Sequence, residues 1–410
     1  MRFLHTSDWH LGKRLERFSR IEEQREVLEE ICEIAEKEKV DAVLIAGDLF
    51  DAFNPSSEAV ELFYRMLKIM AENGKRAVIA IAGNHDSPER IEAPDPLARE
   101  CGIIFAGMPD SQVTPFSLES GLRVLSSDPG FLEMELPGYD YPLRLLLTPY
   151  ANELRLKTML AVDNKESDLR EILKSRWESI IQGHPHQTGV NVLMTHLFVM
   201  NKGEEKPQEP DDEKPILYVG GAQPVFSSDF PEGLHYVALG HLHRPHQTGG
   251  GKCPVVYSGS PLAYSFAETN QQKKVYIIDA EPGKAAEVKT VDLKSGYKLI
   301  SVKFDNEDAA LEWLRDNQEL YVELTLVSNT YITADTRRKL FAAHPRIVTL
   351  IPEVESGRES DSGNNAISID LTKSTEELFV DFFKEKKGQA PNGRVLDLFR
   401  ELMGSEKRLN

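Results

Sequence analysis

Residues 41–51 read DAVLIAGDLFD and residues 76–86 read RAVIAIAGNHD. Each stretch contains an apolar run that ends at a glycine, and a polar residue follows that glycine directly, Asp48 in the first and Asn84 in the second. Unbroken apolar runs of this kind are typical of strands that are buried on both faces of a parallel sheet. The sequence therefore predicts two buried strands whose carboxyl ends carry polar side chains.

The segments around these strands alternate between strand and helix patterns. Residues 2–10 (RFLHTSDWH) begin with a third short apolar run, and residues 20–38 and 56–73 carry apolar side chains at helical spacing. This order of strand, helix, strand, helix and strand predicts an α/β fold in which helices cover a parallel sheet. Ligands of such sheets bind beyond the carboxyl ends of the strands.

Polar residues that can bind metal follow five of the predicted strands. Further strands are predicted at 143–149, 191–195, 235–239, 254–258 and 274–279. Carboxylate oxygen, amide oxygen and imidazole nitrogen are ligands that divalent cations prefer in proteins. We expect the five strand ends to converge on one edge of a sheet. There they would form a metal site from Asp8, His10, Asp48, Asn84, His196, His241 and His243.

Six other histidines need separate treatment. The pair His184 and His186 lies in a GHPH sequence that resembles the GHLH at 240–243, but it precedes a predicted strand and is expected at the opposite edge of the sheet. His5 and His235 lie inside or at the start of strands and are expected to be structural. We expect His246 and His344 at the surface, with His246 close enough to the site to contact substrate.

Composition and charge narrow the function classes. The chain has 410 residues and a formal net charge of -18, which argues against a protein that holds nucleic acid by its overall field. A local basic patch, bound metal or a basic partner remains compatible with that charge. The three cysteines form no CxxC pair and predict neither a disulfide framework nor a zinc site. No signal peptide or membrane-spanning run is predicted, so a cytoplasmic location is expected.

The chain divides by composition into four parts. Residues 1–290 are expected to form the main domain, and residues 291–355 a small domain with the order β-α-β-α-β. Residues 356–372 are expected to be a linker and residues 373–410 two amphipathic helices. The Pro- and charge-rich stretch at 201–215 is interpreted as a mobile surface insertion.

The motifs together resemble a known family. Asp8-x-His10, Gly47-Asp48, the GNHD at 83–86, His196 and the GHLH at 240–243 look like the signature of calcineurin-like metallophosphoesterases. The stretches HTSDWHLGK (5–13) and YSGSPLAYSFAE (257–268) resemble the SbcD family of bacterial nuclease subunits. The resemblance implies an α/β fold, a metallophosphoesterase β-sandwich flanked by helices, with a small α/β cap domain and a C-terminal helical tail.

The same resemblance implies a ligand set and a chemistry. It implies two Mn²⁺ ions, with Mg²⁺ as an alternative, that act in a 3'-5' exonuclease or endonuclease. One ion would be bound by Asp8, His10 and His243. The other would be bound by Asn84, His196 and His241, and Asp48 would bridge the two. His85 would contact the scissile phosphate and assist the leaving group, and Asp86 would orient the imidazole of His85.

Cations next to these motifs are candidates for binding the DNA backbone. Arg and Lys can hold phosphates without reading sequence. The alternative for each is a charged side chain in a solvated loop. The candidates are Lys13, Arg14, Arg17, Arg20, Arg90 and Arg244. Ser258, Ser260 and Tyr264 are candidates for supporting the site.

Two apolar surfaces suggest partners. The helix at 56–73 has an apolar face about twice as wide as packing on one sheet needs, and SbcD-like proteins form homodimers through this part of the chain. The alternative is that another segment of the same chain covers the extra face. The tail at 373–410 resembles segments that dock on an SbcC-like coiled-coil ATPase, with packing on its own core as the alternative.

Three functional classes are consistent with these observations. The first is an SbcD-like nuclease subunit that acts on DNA in repair, recombination and replication. The second is a stand-alone metallophosphatase for small phosphoesters or cyclic nucleotides, which would share every metal ligand but need no cap or apolar tail. The third is a scaffold with a decayed site, against which the complete ligand set and His85 argue.

Overall fold

The structure is a computed structural model. It describes residues 1–156, 165–203, 225–249, 252–328, 332–354, 375–387, 391–396 and 398–399. Residues 1–354 form one compact unit and residues 355–410 a second. The linker predicted at 356–372 and most of the insertion predicted at 201–215 lie outside the described residues.

The strands and helices have the following bounds. In the first half of the chain, the strands are β1 (Arg2–Thr6), β2 (Arg14–Leu15), β3 (Phe18–Ser19), β4 (Ala42–Ala46), β5 (Ala77–Ile81), β6 (Ile103–Ala106), β7 (Phe116–Ser117), β8 (Arg123–Asp128), β9 (Phe131–Glu135), β10 (Leu143–Thr148) and β11 (Val190–Thr195). They continue with β12 (Val199–Met200), β13 (Val225–Phe226), β14 (Tyr236–Leu239), β15 (His246–Gln247), β16 (Val255–Tyr257), β17 (Lys274–Asp279), β18 (Glu287–Asp292), β19 (Lys298–Phe304), β20 (Leu320–Ser328) and β21 (Ile347–Val354). The α-helices are α1 (Ile21–Lys37), α2 (Ser57–Ala71), α3 (Pro88–Glu92), α4 (Asp95–Ala98), α5 (Glu153–Leu156), α6 (Lys165–Gln182), α7 (Glu307–Asp316), α8 (Ala334–Ala343) and α9 (Thr375–Lys387).

The first sheet contains the apolar runs that begin the chain. Its strand order is β18-β17-β1-β4-β5-β6, and β1, β4, β5 and β6 run parallel. Helices α1 and α2 cover one face because their apolar positions recur at helical spacing. Ser56 caps α2, since its hydroxyl accepts a hydrogen bond from the amide of Ala59 at 3.3 Å. These strands and helices confirm the predicted alternation.

A second sheet lies against the other face of the first. Its order is β15-β16-β14-β11-β10-β9-β8-β7, with β10, β11, β14 and β16 parallel. Side chains from both sheets, among them Phe3, Leu44, Leu145 and Val192, form the buried core between them. Helix α6 covers the outer face through Leu173 and Trp177. The predicted β-sandwich flanked by helices is confirmed.

One expectation about the strand ends is wrong. The five strands that precede the candidate ligands do not share one sheet, because β1, β4 and β5 belong to the first sheet and β11 and β14 to the second. Their carboxyl ends meet because the parallel strands of both layers end on the same side of the sandwich. The candidate site therefore lies across the junction of two sheets.

A third sheet follows the sandwich in the chain. Its parallel strands β19, β20 and β21 alternate with α7 and α8, as predicted, around a small core of their own. The hydroxyl of Tyr321 on β20 donates to Glu23 of α1 at 3.0 Å, which joins this sheet to the sandwich.

His344 is not at the surface as expected. It is fully buried, and its Nδ1 accepts a hydrogen bond from the amide of Arg346 at 3.1 Å. Its Nε2 is therefore the nitrogen that donates to the carbonyl of Asn317, at 3.0 Å. The helix pattern of residues 333–343 gave no indication that the next residue turns back into the core.

The second unit contains α9 and a short helical segment at 393–396. Phe379 of α9 stacks on Phe399, with ring centroids 4.0 Å apart, and contacts Phe383 at 5.8 Å. The two apolar segments predicted for the tail thus pack on each other. Among the described residues, no helix has the length and apolar character that crossing a membrane requires.

Candidate metal centre

The backbone at the ends of β1 and β4 is bent sharply to present its side chains. Asp8, His10 and Asp48 have φ angles of 53°, 45° and 48°, in the left-handed region that non-glycine residues rarely adopt. The two turns hold each other, because the amides of Asp8 and His10 donate to the carbonyls of Gly47 and Asp48, each at 2.9 Å. Such conformations cost energy and cluster at functional sites.

Glycines allow the strand ends to approach each other. A Cβ atom on Gly83 would lie 2.1 Å from Oδ1 of Asp48, and one on Gly240 would lie 1.8 Å from the carbonyl oxygen of Ala46. Both distances are impossible for a carbon atom, so only glycine fits at these positions. The glycines quoted in the sequence motifs therefore bring β5 and β14 against β4.

Asp8, His10 and His243 form one group of possible ligands. Their donor atoms all lie within 4.8 Å of one another. Nε2 of His10 lies 3.0 Å from Nε2 of His243. The hydroxyl of Ser258 donates to Ser7, whose own hydroxyl donates to Asp8, so the predicted supporting role of Ser258 acts through a second serine.

Asp48, His196 and His241 form a second group with the same spacing. The side-chain oxygen of Asn84 lies 3.0 Å from both Nε2 of His196 and Nδ1 of His241. Oδ2 of Asp48 lies 3.3 Å from His196 and 3.6 Å from His10, so its carboxylate stands between the two groups. All seven residues proposed as ligands from the sequence are thus brought together.

The carboxylate of Asp48 attracts positive charge in the second group. Burial alone lowers the pKa of His196, but the carboxylates of Asp48 and Asp8 outweigh it and raise the pKa to about 9. Burial opposes the ionisation of Asp48, yet His196 and His10 hold its pKa well below the usual range. A divalent cation fits this field and this mixture of oxygen and nitrogen donors.

In His196 and His243, a contact at Nδ1 leaves Nε2 available for a metal. Nδ1 of His196 donates to the carbonyl of Ala46 at 2.8 Å, so in the neutral ring the lone pair is on Nε2, on the side of Asp48. Nδ1 of His243 lies 3.4 Å from Oε1 of Glu268, and its Nε2 is the atom facing His10. Such contacts fix the tautomer of metal-binding histidines.

His85 lies beside the two groups. Its Nδ1 donates to the carbonyl of Asp51 at 2.9 Å, and its ring meets that of His10 edge to face at 4.9 Å. It is only partly buried and lines the cleft that opens onto the centre. A third group of donor atoms, from His10, Asp51 and His85, adjoins the other two.

Asp86 does not orient His85 as expected. Its carboxylate accepts hydrogen bonds from the amides of Gly83, Leu49 and Phe50, at 2.8 to 3.0 Å. Burial, assisted by the charge of Asp48, raises its pKa to about 6 despite these amides. Asp86 therefore joins the loops after β4 and β5. The group that contacts the ring of His85 is instead the carbonyl of Asp51.

Arg155 also holds the loop after β5, and the sequence gave no indication of it. The guanidinium is buried and donates to the carbonyls of Gly83 at 2.8 Å and Asp86 at 2.9 Å. It also lies over the ring of Tyr150. Because it clamps both ends of the segment that carries Asn84 and His85, we infer that it positions both side chains.

Glu268 is a further residue that sequence reasoning missed. It is buried, pairs with Lys273 and accepts from the amide of Tyr264 at 3.1 Å. Burial opposes its ionisation, but Lys273 and His243 lower its pKa to about 2. Its position at the end of the YSGSPLAYSFAE stretch was the only available indication of a role.

Replacing Glu268 with Gln is expected to weaken Mn²⁺ binding by about 10- to 100-fold, because carboxylates behind a metal-binding histidine contribute that much to affinity. Isothermal titration calorimetry measures the affinity. The double variant E268Q/K273M removes the cation that the single variant leaves buried, and Glu58→Gln on the exposed face of α2 is the matched control. Unchanged affinity in both Glu268 variants would contradict the assignment.

The comparison with known proteins agrees with this geometry. The model of the family described as calcineurin-like phosphoesterase matches residues 1–245. The chain belongs to the calcineurin-like phosphoesterase family. This confirms the resemblance seen in the sequence, and the family implies a phosphoesterase that depends on divalent metal.

Three curated relatives of this phosphoesterase are named as SbcD, the D component of the nuclease SbcCD. The protein from Bacillus subtilis is 35% identical over 98% of this chain and 97% of its own length. The protein from Staphylococcus epidermidis is 28% identical over 95% and 94%. The protein from Rhodobacter capsulatus is 33% identical over 70% and 68%.

The phosphoesterase centre opens into a cleft of about 700 Å³. Metal-site side chains form part of its lining, together with Lys13 and Arg14. Glu323, Val348 and Thr349 of the third sheet line it as well. The small α/β segment therefore contributes to this cleft.

The cations proposed to bind DNA have different surroundings. Lys13 pairs with Asp51 at 3.2 Å, and Arg17 reaches the carbonyl of Ile347 at 3.3 Å. Arg14 donates to the carbonyl of Arg17. Arg90 donates to Asn54 at 3.0 Å, and Arg244 is exposed in a pocket with Lys274.

Arg20 departs from the expectation. It is buried, its guanidinium makes two hydrogen bonds to Glu23, and it lies over the ring of Tyr321. These contacts leave no face of the guanidinium for a phosphate, so Arg20 instead joins α1 to the third sheet. Its place in a run of basic residues concealed that role.

The other histidines lie where most of them were predicted. His184 stacks on Phe131, and His186 contacts His235, which precedes β14 and so lies at the opposite edge from the centre. His5 and His235 are buried as structural residues. His246 is half-buried against Tyr257.

Proposed function

We propose that the protein is a Mn²⁺-dependent DNA nuclease subunit that hydrolyses DNA phosphodiesters with two metal ions. It would act with an SbcC-like coiled-coil ATPase on double-strand breaks and hairpins. The observation that carries this proposal is the pair of ligand groups around Asp48, with His85 on the side of the cleft. The names of the relatives supply the substrate class.

The two groups of donor atoms support a separate ligand set for each ion. Asp8, His10 and His243 would hold one ion, Asn84, His196 and His241 the other, and Asp48 would bridge them. When bound, two divalent ions would stabilise the negative charge that develops during phosphodiester hydrolysis and would make water more acidic. Glu268, Ser7 and the carbonyl of Ala46 contact the side chains of His243, Asp8 and His196, in that order, and hold these candidate ligands in position.

His85 would transfer the proton that the leaving oxygen needs. Since Nδ1 donates to the carbonyl of Asp51, Nε2 is the nitrogen left to exchange a proton with a bound phosphodiester. Histidine is the side chain that most often serves as a general acid or base in enzymes. The hydrogen bond from Nδ1 to the carbonyl of Asp51 holds the ring of His85 in one orientation.

Replacing Arg244 with Gln is expected to raise KM for DNA, because its exposed guanidinium follows the ligand His243 directly in the chain and can hold a neighbouring phosphate. The slope of log affinity against log salt concentration should fall by about 1, as for the loss of one phosphate contact. Fluorescence anisotropy at several salt concentrations measures this. Arg25→Gln on α1 is the control, and an unchanged slope would remove Arg244 from the DNA path.

Two partner surfaces belong to the same proposal. Most of the wide apolar face of α2 is covered by the chain itself, since Leu62, Phe63 and Met66 are buried, but Ile69 remains 50% exposed. We propose a homodimer through this exposed part, which light scattering of the purified protein tests by its mass. The paired aromatic segments of the tail are proposed to dock on the ATPase.

One assay tests the function. The purified protein is incubated with Mn²⁺ and end-labelled duplex or hairpin DNA, with and without its ATPase partner, and in parallel with a small phosphodiester. DNA cleavage supports the proposal. Hydrolysis of the small ester alone would favour a stand-alone metallophosphatase, and inactivity on both would favour a scaffold.

A further inference from the structure

Phe53 is an exposed aromatic residue at the substrate cleft. It lies in the loop between β4 and α2, and 54% of its surface is exposed. The cleft that it lines also contains the metal-site residues and the cations Lys13 and Arg14. Among the large apolar side chains of the described residues that are comparably exposed, Phe53 is the one in the lining of this cleft.

The loop that carries Phe53 is held at both ends. The amide of Asp51 donates to the carbonyl of Leu11 at 3.2 Å, and its carbonyl accepts from Nδ1 of His85. On the other side, the side-chain oxygen of Asn54 accepts from Arg90 at 3.0 Å. Hydrogen bonds therefore lie on both sides of Phe53 in the chain, and Asp51, whose carbonyl orients His85, lies two residues before it.

A phosphodiester at the metal centre brings nucleobases to this position. A chain whose phosphate lies between His85 and the metal ligands must place its flanking sugars and bases along the cleft walls. An exposed aromatic ring binds the flat face of any base, which gives affinity without sequence preference. Pockets of about 300–1,000 Å³ suit ligands of drug size, so the cleft takes a short stretch of one strand.

We propose that Phe53 stacks on the nucleobase next to the scissile phosphate and thereby favours unpaired strand ends; this inference rests on the proposed nuclease function. A base inside a duplex has both faces covered by its neighbours, so a protein ring can stack only on a terminal or unstacked base. Phe53 would position the substrate, whereas His85 and the metal ligands would catalyse the cleavage.

The test combines a protein change with a substrate change. Phe53→Ala, Phe53→Leu and Phe53→Trp are assayed with Mn²⁺ on a single-stranded oligonucleotide and on copies that lack the base on either side of the cleaved phosphate. On the intact oligonucleotide, the Ala variant is expected to raise KM by about 5- to 100-fold, as for the loss of one stacked base. Compared with the Ala variant, Phe53→Leu should recover little of the affinity for the oligonucleotide and Phe53→Trp should recover most of it.

The abasic substrate separates stacking from damage to the site. With the relevant base absent, wild type and Phe53→Ala should have the same KM and kcat. Leu97→Ala, which shortens another exposed apolar side chain outside the cleft lining, is the matched control and should behave as wild type on every substrate. Mn²⁺ affinity by calorimetry should be the same in all variants.

Two results would overturn the inference while the nuclease function stands. Equal losses on intact and abasic substrates would make Phe53 a structural residue. No loss on the intact substrate would leave it without a role in cleavage and point to a protein partner on this loop. Failure of the wild type to cleave any oligonucleotide would overturn the proposed function, and this inference with it.

Discussion

Replacing His85 with Gln is expected to lower kcat for DNA cleavage by about 10²- to 10⁴-fold and to leave Mn²⁺ binding nearly unchanged. The side chain lies beside the ligand groups, and its fixed contact is to the carbonyl of Asp51. Glutamine can keep that contact through its amide but cannot take up and release a proton near neutral pH. Turnover measures the loss, and calorimetry measures metal binding.

The matched control for this variant is already in the sequence. His184→Gln changes a histidine of the GHPH stretch, which lies at the opposite edge of the sandwich against Phe131. It should alter neither turnover nor Mn²⁺ affinity. Failure of the His85 variant to bind Mn²⁺ would instead make His85 a ligand, together with His10 and Asp51 of the third donor group.

Replacing Asp48 with Asn is expected to abolish metal binding, whereas the His85 variant should retain it. The carboxylate lies within 3.6 Å of ligands from both groups, so its removal affects both ions. Residues that only hydrogen-bond to a metal ligand contribute about 10- to 100-fold to metal affinity. Loss of a ligand itself should therefore lower Mn²⁺ affinity by at least about 100-fold, and DNA cleavage should be undetectable. Calorimetry with Mn²⁺ and a cleavage assay at rising Mn²⁺ measure both effects.

The pH dependence of the metal-free protein provides a second readout for Asp48. Because Asp48 helps to raise the pKa of His196 to about 9 in the folded state, the resulting stability is fully present below the unfolded value of 6.5 and is lost as pH rises through about 9. In the Asp48→Asn variant, freed of metal with a chelator, the loss of stability over this pH range should be smaller. Denaturant unfolding between pH 6 and 10 measures it, and identical profiles for the two proteins would contradict the assigned coupling.

The sequence predicted which side chains come together because each candidate ligand follows a recognisable strand end. A glycine and a polar residue after an apolar run mark Asp48, Asn84 and His241 directly. His184 and His186 precede a strand instead of following one, and they lie at the opposite edge from the metal centre, as predicted.

The remaining features depend on contacts between distant parts of the chain. Glu268 and Arg155 act through partners 25 or more residues away, which no local pattern shows. Asp86 was misassigned because the turn after Asn84 directs its carboxylate to three amides. Arg20 was misassigned because charge alone predicts exposure. Strands β6 to β9 were missed because several are short or alternate weakly between buried and exposed positions.

The centre also constrains when activity can arise during synthesis. His10 and His243 lie 233 residues apart in the chain, and each ligand group combines residues from the first sheet with residues of the second. Contacts of such long range form late in folding, since both layers must meet first. A nascent chain that ends before residue 241 holds neither group in full. Hydrolytic activity therefore arises only after nearly the whole sandwich has been made.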